Sequence, residues 1–126
     1  MKLKAILTEK APAAIGPYSQ AILAGNMLFC SGQIALDPSR GELVQGGVVV
    51  QAERVMENIA AVLSAAGLGF DDVVKTTIFL VEMGDFAAVN EVYGRSFNNH
   101  KPARSTVAVK SLPRGALVEI EVIAQV

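Results

Sequence analysis

From Leu117 to Val126 the side chains alternate in character. Val118, Ile120, Val122, Ala124 and Val126 fall on one side of an extended chain, and Leu117, Glu119, Glu121, Ile123 and Gln125 fall on the other. Successive side chains of a strand point to opposite faces, so the spacing predicts a strand over 117–126 with one wholly apolar face. That face requires a second apolar layer against it. The opposite face sets two carboxylates among half-apolar neighbours, about 7 Å apart by strand rise. Such a face is a solvated edge in most strands, and in some it is a pocket suited to a general base.

The covering layer is legible upstream. From Val48 the period becomes helical: Ala52, Val55, Met56, Ile59, Leu63 and Ala66 share one side. Gln51, Glu53, Arg54, Glu57, Asn58 and Ser64 take the other side, and Gly67 reads as the C-terminal stop. Met56 reads as core filler. Asp85 reads as the cap of a second helix whose buried stripe is Phe86, Val89, Tyr93 and Phe97, broken by Asn98-Asn99-His100-Lys101-Pro102.

The remaining segments read as strands. Ala5 to Thr8 is a short one, followed by a loop stiffened by Pro12, Gly16 and Pro17. Ala21–Ala24 and Met27–Cys30 flank Gly25-Asn26, a hairpin signal, and Asp37–Gly41 is a turn cluster. Val73–Val81 is rich in β-branched residues and reads as an interior strand, and Ser105–Val109 is a further strand. The order strands, helix, strand, helix, strands predicts an α/β (α+β) fold of two layers, a mixed sheet with both helices on one face, as one domain over residues 1–126. The loop between the last two strands makes them expected neighbours in the sheet.

Composition narrows the function classes. Hydrophobic residues make up 52% of the chain and charged ones 18%, a surplus that favours an oligomer with apolar interfaces. The net charge of −1 gives no reason to expect nucleic acid or an anionic membrane as partner. A single cysteine, Cys30, precludes an intrachain disulfide, and a single histidine, His100, precludes a multi-histidine metal site. No run reaches the ~18 apolar residues that span a bilayer, and the expected setting is cytoplasmic.

Arg104 is the first candidate for chemistry. Pro102 cannot donate to a ladder and belongs at a strand start, which sets Arg104 at a strand mouth as a planar fork for a carboxylate or phosphate. A surface salt bridge is the alternative. Tyr18 is aimed by the stiff Gly16-Pro17 turn, or else packs at a rim. Ser31 ends a strand beside Gly32, where a backbone can approach a ligand, or else is a turn serine. Asn90 lies on the second helix at a position that reads as exposed. Ser31 lacks a nucleophile elbow, and Gly46-Gly47 lacks the lysine of a phosphate loop. Cys30 sits in an apolar run and reads as an inert thiol, while His100 reads as an exposed loop residue.

Taken together, Gly16-Pro17-Tyr18-Ser19-Gln20-Ala21, Ser31-Gly32-Gln33-Ile34, Val74-Lys75-Thr76-Thr77, Phe86-Ala87-Ala88-Val89-Asn90, Pro102-Ala103-Arg104-Ser105 and Val118-Glu119-Ile120-Glu121 resemble the RidA/YjgF family of imine/enamine deaminases, in order and spacing. The resemblance implies chorismate-mutase-like protomers assembled as a homotrimer, with active sites in clefts between subunits. It implies hydrolysis of 2-imino acids, such as 2-iminobutanoate and 2-iminopropanoate released by pyridoxal-phosphate enzymes, to 2-keto acids and ammonium. No cofactor or metal is implied. Carried over by motif, Arg104 is the carboxylate-binding residue and Glu119 orients water. Tyr18, Ser31, Gly32 and Asn90 line the cleft, and Thr106, which stands where many relatives have cysteine, is counted with them among the substrate-binding residues. The loop before Pro102 looks short beside relatives. A non-enzymatic trimer that binds small ligands, a regulatory or chaperone-like protein, and a ribonuclease are the other classes to separate.

Overall fold

The computed structural model describes residues 2–126. Six strands form one mixed sheet: β1 (Leu3–Ile6), β2 (Ala21–Ala24), β3 (Met27–Cys30), β4 (Val73–Leu80), β5 (Ala103–Ala108) and β6 (Val118–Gln125). Two helices accompany it, α1 (Val48–Ala65) and α2 (Phe86–Ser96). The strand order is β1-β2-β3-β6-β4-β5, antiparallel except for the parallel β4–β5 pair. The expected mixed sheet with two helices, an α+β arrangement, is the one observed.

The alternation in the last strand does what its spacing predicts. Val118, Ile120, Val122 and Ala124 are all but inaccessible and pack with Val55, Ile59, Val62 and Leu63 of α1 and Val89 of α2. Val126, grouped with that face by alternation, lies beyond the strand and is exposed. The hairpin forms as its turn signal requires, with Gly25 at a positive φ of 63°. α1 ends in a paired cap, in which Leu68 N–H donates to the Leu63 carbonyl and Gly67 N–H to Ser64, with Gly67 at φ 75°. The first strand runs two residues earlier than expected, and β5 and β6 differ from expectation by one or two residues at their ends, where pairing rather than composition sets the limit.

Several expectations are corrected. Gln51 and Asn58 are buried, not solvent-facing. Asn58 Nδ2 donates to the Ile34 and Leu36 carbonyls, and Gln51 Oε1 accepts from Leu117 N–H, so both hold main-chain groups that lie outside the named strands. Asp85 occupies the N-cap of α2 but makes no capping hydrogen bond; Glu82 instead accepts from Gly84 N–H in the turn before it. His100 is half-buried with its Nε2 against the Val73 carbonyl, so it ties the loop after α2 to the start of β4.

The largest correction concerns the last two strands. β5 and β6 are not neighbours, because β4 lies between them. Their connection spans the sheet end through a turn at Pro113–Gly115.

Candidate active site

Arg104 stands opposite Thr76 in the parallel β4–β5 register. Thr76 also stands opposite Val122, and both are buried on the helix-covered face. Cross-strand partners point the same way, so Arg104 leaves the sheet on the helix side. There Arg104 Nη1 donates to Asn90 Oδ1 at 2.6 Å, and its Cζ lies 5.1 Å from the Tyr93 ring centroid and 5.3 Å from that of Phe86. No ion pair among the described residues uses Arg104. It opens on a cavity of about 510 Å³ shared with Asn90, Tyr93, His100 and Lys101.

Glu119 stands opposite Phe79 on β4 and alternates with buried Val118 and Ile120, so it leaves by the other face. It lines a different cavity, of about 550 Å³, with Tyr18, Ser31, Gly32, Gln33 and Arg114 among its walls. Burial raises the pKa of its carboxyl, and neighbouring Glu121 raises it further. Gly32 makes room for that carboxyl: a Cβ there would clash with Glu119 Oε2 and come within 2.9 Å of its carboxyl carbon.

The other wall residues are held by local structure. Ser31 Oγ donates to the Ser19 carbonyl at 2.6 Å, and Ser31 N–H donates to the Gln20 carbonyl. The serine thus fastens the 18–20 segment to the end of β3, and its hydroxyl is committed as a donor. Gly16, at φ 118°, reverses the chain and leaves the Tyr18 ring 55% exposed at the cavity. Thr106 shares Arg104's face by alternation but lines neither cavity. Cys30 behaves as its apolar run predicts, since burial pushes its thiol pKa up to about 12.

The predicted residues therefore fall into two groups. Tyr18, Ser31, Gly32 and Glu119 come together, as do Asn90 and Arg104, and the groups lie on opposite faces of one sheet. Gln20, Tyr93 and Arg114 were not singled out from sequence as site residues. Gln20 is buried and holds Thr8 and Pro12 through main-chain hydrogen bonds, which shapes the first cavity's wall. Its place after Tyr18-Ser19 was the available signal. Arg114 adopts φ 61°, which periodicity cannot reveal. Tyr93 read as part of a buried stripe, and a stripe pattern does not say what lies above the ring.

Comparison with known proteins resolves the kinship. The family model described as Endoribonuclease L-PSP matches residues 8–126. The chain belongs to the RidA/YjgF family. Within that family it is 63% identical over 126 residues to Protein DfrA of Myxococcus xanthus, covering 98% of this chain and 96% of that protein. It is 53% identical to the 2-iminobutanoate/2-iminopropanoate deaminase of Mus musculus, over 96% of this chain and 90% of the mouse protein. The RidA/YjgF fold is matched in the crystal structure of E. coli TdcF with bound serine, at a TM-score of 0.92 and 44% identity, over 98% of each chain.

Proposed function

We propose that this protein hydrolyses 2-imino acids, and their enamine tautomers, to 2-keto acids and ammonium at a site completed by two subunits. One observation carries the reading. Arg104 is oriented by Asn90 and has no carboxylate partner among the described residues, and Glu119 stands in a separate cavity on the opposite face. An unpaired arginine fork is suited to a substrate carboxylate, and a carboxyl whose pKa is raised by burial is a stronger base than an ordinary carboxylate. One chain cannot bring them to one substrate, but two chains of a homotrimer can. The mouse relative's name and the serine bound to the E. coli relative fit a small carboxylate-bearing ligand.

The mechanism follows from these groups. Arg104 of one subunit grips the carboxylate through two N–H donors and fixes C2. Glu119 of the next accepts a proton from water as its oxygen adds to the iminium carbon. Glu119 returns that proton to the carbinolamine nitrogen, the C–N bond breaks, and the departing ammonia takes the hydroxyl proton, which leaves the 2-keto acid and ammonium. Tyr18 and Gly32 bound the space in which the water and substrate sit. Because the iminium is already electrophilic, positioning and modest base assistance suffice.

The test generates imines from several amino acids in situ and lets the protein compete with semicarbazide for them. Arg104→Ala and Glu119→Gln should each lose most of the competition. Full competition by either variant removes that residue from the mechanism. RNA cleavage that survives both substitutions would instead favour the activity named in the family's description.

A further inference from the structure

We propose that the Tyr93 ring, with Phe86 beside it, is a platform that sets the orientation of Arg104, making Tyr93 a positioning residue for carboxylate recognition. This rests on the assignment of Arg104 as the carboxylate anchor.

Tyr93 is unusually constrained for a residue that touches the site. It is 6% exposed, and its hydroxyl lies 2.8 Å from Thr76 Oγ1, in a buried pair. Thr76 is also the register partner of Arg104, so the ring is tied to the strand position that carries the arginine's neighbour. Phe97 packs against it at 4.8 Å with the rings tilted by 39°, and Phe97 in turn meets Phe70 edge-on at 5.1 Å. The guanidinium lies over the Tyr93 ring.

A guanidinium on an aromatic face is attracted by the ring's quadrupole, and the ring limits its swing. Asn90 fixes Nη1. With one donor taken and the plane supported, the Nε and Nη2 edge is left as the fork, since no other hydrogen bond from Arg104 to a described residue is formed. An arginine on a bare strand edge would lose side-chain entropy on each binding event, and the platform has removed part of that loss beforehand. The hydroxyl acts separately from the ring face: it holds the ring, and the ring holds the arginine.

Calorimetric binding of 2-oxobutanoate, a stable keto acid of the product class, separates these roles. Tyr93→Leu should weaken binding about tenfold, as expected for a partly desolvated cation–π contact. Tyr93→Phe keeps the ring and should bind like the parent while melting at lower temperature. Val92→Ala, which loosens the same helix without touching the site, should lower the melting temperature with no change in affinity. If Tyr93→Leu does not fold, Phe86→Leu should weaken binding severalfold. Unchanged affinity in Tyr93→Leu, or in Phe86→Leu standing in for it, overturns the platform, as does equal weakening by Val92→Ala. Arg104→Ala separates the two claims: if it still binds 2-oxobutanoate, the anchor assignment has failed and not the platform alone.

Discussion

Arg104 and Glu119 leave one sheet from opposite faces. Arg104 is aligned with Thr76 and Glu119 with Phe79, three positions further along β4. Two strand spacings also separate them, so their backbones lie about 10 Å apart along the strands and about 10 Å across, with the sheet itself between their side chains. On the proposed reading, a substrate that uses both lies between two copies of the chain.

This yields a complementation test. Arg104→Ala and Glu119→Gln, each nearly inactive alone, should regain activity when unfolded together and refolded as mixed oligomers. In a cyclic trimer, each mixed assembly contains one site with both native residues, which gives about a quarter of the parental activity after random mixing. Mixtures as inactive as the separate variants would place the site within one protomer.

The raised pKa of Glu119 fixes a sign for pH dependence. Its base form is lost as pH falls through a value higher than that of an unperturbed glutamate, so the acid limb of kcat/KM should lie at correspondingly higher pH. Burial is the larger cause and Glu121 the second, so Glu121→Gln should move that limb to lower pH without abolishing activity. For stability, the folded state holds this proton more tightly than the unfolded chain. Stability therefore falls as pH rises from the unfolded pKa through the folded one. Glu119→Gln should melt no lower than the parent at neutral pH while its activity collapses. A large drop in its melting temperature would contradict this account of the carboxyl's environment.

Gly32 tests the shape of the same cavity. Gly32→Ala adds one methyl against the Glu119 carboxyl, which must swing away. Activity should fall tenfold or more, about 1.4 kcal/mol in transition-state stabilisation, with little change in melting temperature. Parental kinetics in this variant would show that the carboxyl position does not matter to the reaction.

Asn58 supports the site from beneath. It is fully buried and holds the carbonyls of Ile34 and Leu36, two residues that line the Glu119 cavity. Asn58→Leu leaves both carbonyls without that donor and should cost about 2–3 kcal/mol in chemical denaturation. A loss below about 0.5 kcal/mol, within the range of ordinary surface substitutions, would mean that the loop finds other partners.

Cys30 offers a check that involves no activity. With its thiol pushed up to about 12 by burial, it should resist alkylation at pH 8 in the folded protein and react only in denaturant. Rapid labelling of the native protein would show the end of β3 to be open.

Sequence alone determined the local elements of this protein and named most of the residues of its candidate site. Alternation from Leu117 to Val126 and the helical period from Ala52 to Ala66 follow from side-chain direction along a regular backbone, and they identified the faces that meet in the core. Gly25-Asn26 and Gly67 acted through their own backbone freedom. Arg104, Glu119, Tyr18, Ser31, Gly32 and Asn90 could be named because the motifs around them are local. Tertiary structure alone decided how they are grouped. That β4 separates β5 from β6 is a matter of long-range pairing, which no window of sequence contains. The same pairing turns Arg104 toward α2 and Glu119 away from it, buries Gln51 and Asn58 against loops distant in sequence, and lays Tyr93 under the guanidinium. Periodicity reports which side of its own element a residue occupies; what lies opposite that side depends on strand order and register.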